Sequence, residues 1–158
     1  MNLTKENRQV IKVIAQSFSC LKEDWAITGS FNHYLQGIDI VPNDIDIITT
    51  KKGIYAISEI LNSYCIQNTI YKESKNLKSY FGKFKMQYTK IDIMAEVENK
   101  VDNIWLKHQD WENNIVNVKV SPNLILPCLK LNYELLIYQR LRFEERSNLI
   151  LSYLEDIK

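Results

Sequence analysis

Residues Trp25–Thr49 read WAITGSFNHYLQGIDIVPNDIDIIT, and the two halves of this stretch decide the fold. The first half opens with a β-prone run, Trp25-Ala26-Ile27-Thr28. It meets Gly29-Ser30 and continues with Phe31, Tyr34 and Leu35, whose i, i+3, i+4 spacing marks one face of a short helix. Ser30 is a good helix N-cap, and Gly37 fits the position after a helix end, where positive φ is often needed. Gly29 lets backbone come close to a ligand, and the free N–H groups at a helix start favour an anion. The second half is Asp44-Ile45-Asp46 within another apolar strand.

Strand side chains alternate faces, so Asp44 and Asp46 point one way while Ile45 and Ile47 point into a core. Two neighbouring carboxylates repel and resist burial, so this pattern suits a core strand only when a cation sits between them. Mg²⁺ takes oxygen ligands and rests on one or two carboxylates plus substrate phosphates. An isolated Asp-x-Asp also suits a solvated strand end; the Gly-Ser turn before it favours the metal reading. A third acid stands in Lys90-Ile91-Asp92-Ile93-Met94-Ala95-Glu96. Asp92 lies between two core isoleucines, as Asp46 does. On a neighbouring strand Asp92 would complete the metal site and take a proton from an attacking hydroxyl, with Glu96 as competitor for that role.

Gly29, Ser30, Asp44, Asp46 and Asp92 together resemble the signature of the DNA polymerase β-like nucleotidyltransferase superfamily: apolar strand, Gly-Ser, helix, Asp-x-Asp on the next strand, and a later single Asp. The resemblance covers roughly residues 24–96, and the small size points to the minimal and antibiotic-type branches. It implies an α/β (α+β) fold with a mixed sheet flanked by helices. It also implies transfer of a nucleoside monophosphate from an NTP, with Mg²⁺ or Mn²⁺ held by Asp44, Asp46 and Asp92. The catalytic residues would be the same three aspartates, and Gly29 and Ser30 would hold the triphosphate. In similar families the helical tail carries a basic pair that steadies the nucleotide; Arg142 is the expected residue here, ahead of Arg146.

The rest of the chain fits one domain over 1–158, with its core at about 20–120 and C-terminal helices at about 128–158. Residues 4–20 form a helical pattern with Thr4 as cap and Val10, Ile11, Ile14 and Phe18 as apolar stripe. Residues 54–64 read as another helix. Strands are expected at about 66–73, 79–86, 89–97 and 115–120, with turns at 74–77 and 87–88. Pro122 and Pro127 punctuate the passage into two helices that meet near 142–145. Phe143, Ile150, Leu151, Leu154 and Ile157 form the expected stripe of the last one.

The 158 residues hold 46% hydrophobic residues, ordinary for a globular chain. Three widely spaced cysteines make neither a zinc pattern nor a disulfide framework, so a reducing cytoplasm is expected. No signal-peptide pattern or membrane-length apolar run is visible. Twenty basic against nineteen acidic residues give a net charge of +1, which argues against extended nucleic acid as a partner. Most charges of Lys51-Lys52, Lys83-x-Lys85-x4-Lys90 and Arg140-x-Arg142-x3-Arg146 read as solvated surface, apart from a cation to steady the triphosphate. His33 falls on the polar side of the Gly-Ser helix, a surface histidine within reach of a nucleotide. Trp105 and Trp111 fit core packing or stacking on a ligand. Three functional readings remain open: a transferase acting on a small-molecule or protein hydroxyl, an antitoxin-like interaction protein beside a toxin partner, and an α/β binding domain with fortuitous aspartates.

Overall fold

The computed structural model describes residues 4–157. The first element of the described residues is α1 (Lys5–Ser17), capped by Thr4, whose hydroxyl accepts from Asn7 N–H. Then come β1 (Trp25–Thr28), α2 (Gly29–Leu35), β2 (Ile45–Thr49) and α3 (Lys51–Ile60). The long middle section is β3 (Cys65–Glu73), β4 (Leu77–Met86), β5 (Thr89–Val101) and β6 (Ile104–Lys107). The end is β7 (Ile115–Ser121), β8 (Leu124–Leu129), α4 (Leu131–Arg140) and α5 (Glu144–Asp156). The eight strands form a mixed sheet in the order β3-β4-β5-β2-β1-β8-β7, with β6 paired to β5.

Alternation in the sequence sorts side chains onto the two sheet faces. Ile45, Ile47, Ile91 and Ile93 are fully buried on the first face. There they meet Val10, Ile11, Ile14 and Phe18 of the α1 segment and Ile54 and Ile57 of α3. Each fully buried isoleucine contributes about 1.5–3 kcal/mol of transfer free energy, so this face anchors both acid-bearing strands. The second face holds Ala26, Ile48, Val97 and Leu129 against Tyr133, Ile137 and Leu141 of the α4 segment. α5 closes on α4 through Ile150, which packs with Tyr138, Leu131 and Ile38. β5 changes parity on its way. Glu96 sits at φ +50°, so Val97 turns to the second face although Ala95, two residues earlier, packs on the first.

The mixed sheet with flanking helices matches the expected architecture, and several details differ. β6 and β8 are additional strands. β8 occupies the stretch read as a passage into helices, and Pro127 lies inside it opposite Asn117. On its other side β8 meets β1 at the register pair Ile27–Cys128, so the missing N–H of Pro127 is tolerated there. Ser30 is not the cap of α2: the helix begins at Gly29, and Thr28 precedes it. The stripe of α5 is shorter than expected. Ile150 is buried, but Phe143 precedes the helix, and Leu151 and Ile157 are exposed.

Candidate active site

β2 and β5 run parallel, with Asp46 directly opposite Asp92. Paired residues on neighbouring strands share a face, and Asp44, two residues before Asp46, faces the same way. One carboxylate oxygen from each of Asp44, Asp46 and Asp92 lies within 4.8 Å of the others. Glu96, the competitor, is exposed at the β5 bulge and stays outside this cluster. Burial, then Asp44 and Asp92, push the Asp46 carboxyl up to about 7, while Arg146 pulls it down. The Asp92 carboxyl is raised as well, mainly by burial, with Lys83 opposing. Lys83 on β4 stands opposite Asp92 in register, its Nζ 3.6 Å from Asp92 Oδ2.

Gly29 sits against the cluster at φ +68°, and a Cβ added there would lie 2.6 Å from Asp46 Oδ2. Its backbone N–H is not free, because it donates to Glu134 Oε1 at 2.8 Å. Gly29 therefore supplies room and backbone conformation, and Ser30 supplies the polar side chain that faces the cavity beside it.

Glu134 is the residue that sequence reasoning missed. It is 3% exposed on α4 and takes four polar contacts from the α2 turn. Besides Gly29 N–H, Thr28 Oγ1 and Asn32 Nδ2 donate to it, the latter at 2.8 Å. His33 Nε2 lies 2.8 Å from Glu134 Oε2, off the line of a hydrogen bond. His33 is consequently buried, at 2% exposure, rather than on the surface. A signal did exist: Glu134 stands between Tyr133 and Ile137 on the buried side of its helix, a place a carboxylate takes only with partners.

A cavity of about 670 Å³ opens beside the aspartates, between the second sheet face and the two last helices. Gly29, Ser30, Asp44, Asp46 and Arg146 line it, together with Val97, His108 and Tyr133. His108 Nε2 donates to Asn99 Oδ1, 2.8 Å away, and burial holds its ring down at about 4, so it is neutral at pH 7. Arg142 does not reach the cavity. It sits at φ +57° after α4, and its guanidinium turns outward to pair with Asp102 at 2.6 Å. Arg146, one turn into α5, is the cation that lines the site, and it donates to Tyr138 Oη at 3.4 Å. Trp111 is core, and Trp105 lies under the ammonium groups of Lys78 and Lys100 away from the aspartates.

Three carboxylates on two parallel strands, a glycine turn against them and a flanking helical pair define the nucleotidyltransferase fold. The family described as aminoglycoside-2''-adenylyltransferase matches residues 10–151, and the chain belongs to this family. Among solved structures, a candidate nucleotidyltransferase of Thermotoga maritima superposes with a TM-score of 0.82 at 24% identity, over 98% of this chain and 96% of that one. The antibiotic-resistance factor ANT(2'')-Ia gives 0.60 at 12% identity, over 94% and 85%. The lincosamide antibiotic adenylyltransferase LnuA, bound to lincomycin, gives 0.55 at 14% identity, over 96% and 99%. Identities this low establish likeness of fold. Among curated proteins nothing matches the chain.

Proposed function

We propose that the protein transfers a nucleoside monophosphate, with ATP the expected donor, to a hydroxyl of a small-molecule acceptor. One observation carries this reading: Asp44, Asp46 and Asp92 converge within 4.8 Å beside the Gly29-Ser30 turn. The donor set fits a divalent cation of the Mg²⁺ or Mn²⁺ kind, being all carboxylate oxygen and open on one side. The upward push on Asp46 fits too, since it records negative charge that the chain itself leaves uncompensated. When bound, such a cation neutralises phosphate charge and orients the α-phosphate for in-line displacement.

The chain's own residues then divide the work. Asp46 on β2 and Asp44 just before it would hold the cation. Arg146 steadies the triphosphate in place of Arg142, which is turned away. Ser30 offers its hydroxyl and N–H to a phosphate oxygen, and Gly29 keeps the turn close to Asp46. Asp92 is raised by burial, which makes it a better base, and it accepts the proton of the acceptor hydroxyl. The hydroxyl oxygen bonds to the α-phosphorus, the bond from that phosphorus to the leaving oxygen breaks, and pyrophosphate departs. The cavity volume suits a nucleotide or a drug-sized ligand. Membership in an antibiotic adenylyltransferase family favours a small molecule over a protein acceptor, and nothing in the matched family or structures supports a toxin partner.

The test is thermal. Mg²⁺ with ATP should raise the melting temperature of the wild type, because binding the native state alone stabilises it. The Asp44→Asn variant should lose most of that response. An equal response in both proteins, or none in the wild type with any NTP, overturns the assignment.

A further inference from the structure

Arg146 lines the cavity, and no carboxylate among the described residues forms an ion pair with it. Arg142, by contrast, is paired with Asp102. Asp46 acts on Arg146 through its charge, without contact. An exposed arginine ordinarily samples many rotamers, and fixing it on a ligand costs that freedom. Arg146 is exposed, yet it is already held. Its Nη1 donates to Tyr138 Oη at 3.4 Å, and its guanidinium lies 5.5 Å from the centre of the same ring.

Tyr138 is fixed from several directions. It is buried on α4, where Leu131 and Ile150 pack around it. The His33 ring stands edge-on to it at 5.9 Å, and the Phe143 ring lies at 6.2 Å. Hydrogen bonds tie the corner between α4 and α5. Phe143 N–H donates to the Tyr138 carbonyl at 2.9 Å, and Ser147 N–H and Oγ both donate to the Phe143 carbonyl at 2.9 Å. This corner sets the spacing between Tyr138 and Arg146. A phenylalanine would fill the same space, so the hydroxyl has a reason of its own. A buried hydroxyl needs a partner. Among the described residues its hydrogen-bond partner is Arg146. Burial, then the charge of Glu134, hold the phenol above its usual range, so it stays a neutral acceptor for the guanidinium.

We propose that Tyr138 is a positioning residue of the triphosphate site: its hydroxyl fixes the Arg146 guanidinium at the cavity before the nucleotide arrives. This rests on the transferase reading and adds the residue through which Arg146 is preorganised. Tyr138 acts through the arginine alone. The His33 ring behind it touches Glu134, the carboxylate that also accepts from Gly29 N–H. The glycine turn and the arginine are thus set from one buried group, and both are in place in the free protein.

Calorimetry with Mg²⁺ and α,β-methylene-ATP tests this on the wild type, Tyr138→Phe, Arg146→Gln and the double variant. The titrations are run in the cold, where a variant of lowered melting temperature is still folded. Tyr138→Phe should bind the analogue about tenfold more weakly, the size of one hydrogen bond to a charged group. In the Arg146→Gln background the same change should weaken binding by less than about twofold, since no arginine is left to hold. A tyrosine that merely shaped the cavity would weaken binding by the same factor in both backgrounds. A crystal structure of the free Tyr138→Phe protein decides the point without a ligand. It should show the guanidinium withdrawn from the cavity while His33 and Phe143 keep their places. Unchanged affinity in Tyr138→Phe, an equal loss in both backgrounds, or an unmoved guanidinium overturns the inference and leaves the transferase reading standing. No heat with Mg²⁺ and the ATP analogue in the wild type would instead remove the transferase reading, and this inference with it.

Discussion

Asp46 concentrates the chemistry into one side chain. Its carboxyl stands at about 7 because burial, Asp44 and Asp92 all disfavour the charge. Between about pH 4 and pH 7 the folded apo protein therefore holds a proton that the unfolded chain has released. Stability is full below this window and falls as pH rises through it. Chemical denaturation in EDTA should show that decline, and the Asp46→Asn variant should show a flatter profile. Mg²⁺ competes with the proton, so its stabilising effect should be larger at about pH 8 than at about pH 5. In a pyrophosphate-release assay, Asp46→Asn should lower turnover on the order of a hundredfold, comparable with losing one preorganised charge stabiliser; wild-type turnover in the variant would remove its catalytic role. Gly29→Ala should cost about 1–3 kcal/mol through its left-handed φ alone. It should also displace Asp46, whose Oδ2 lies where the new methyl would go. The readout is a lower melting temperature together with a lost Mg²⁺–ATP shift. These residues were legible from spacing alone. Asp44, Asp46 and Asp92 stand out because a carboxylate set among core isoleucines is costly to bury unless a cation compensates it.

Elements were legible where period and turn chemistry agreed, and illegible where a pairing depended on distant partners. β2 and β5 followed from alternation, which sets the face their aspartates share, whereas the parallel direction of the pairing has no local signature. The hairpin into β6 carries a local signal: Asp102-Asn103 both take positive φ, the conformation of the tightest two-residue turns. β8 was hidden because Pro127 reads as a breaker, and only its lightly bonded position beside β1 makes it tolerable. The pairing of α2 with α4 through Glu134 had no local signature, since Gly29 and Glu134 are 105 residues apart. That Arg146 rather than Arg142 lines the cavity has a related cause. The chain turns sharply at Arg142, and that turn, invisible as periodicity, decides which arginine faces the cavity. The α2–α4 pairing makes a prediction about elements. Glu134→Gln keeps the shape but sets an amide N–H₂ among four polar contacts from the turn. A loss of about 2–4 kcal/mol is expected, typical of breaking a buried charged network. Hydrogen exchange at Gly29 and Asn32 should rise in the same variant. Unchanged protection there would show that the turn stands without α4.

Across the whole molecule, charge is nearly balanced at +1, yet it is unevenly placed, with acids and one arginine at the cavity and lysines on β3, β4 and β5. Twenty basic residues balanced by nineteen acidic ones leave no broad basic footprint for a long duplex, so filter binding should detect no tight, steeply salt-dependent affinity for duplex DNA or long RNA. Submicromolar binding with a steep salt slope would displace the small-acceptor reading. No helix among the described residues is long and apolar enough to cross a membrane. The Glu134 contact also bears on how the molecule comes into being. A ribosome delivers Asp92 some forty residues before Glu134, and at about 5–20 residues per second that gap lasts roughly 2–8 s. During it, an emerging chain already owns all three aspartates but not the anchor of the Gly29 turn. The Gly29 turn stays without that anchor until α4 is made, so the competence of the protein is acquired late in synthesis, when α4 folds back onto the α2 turn.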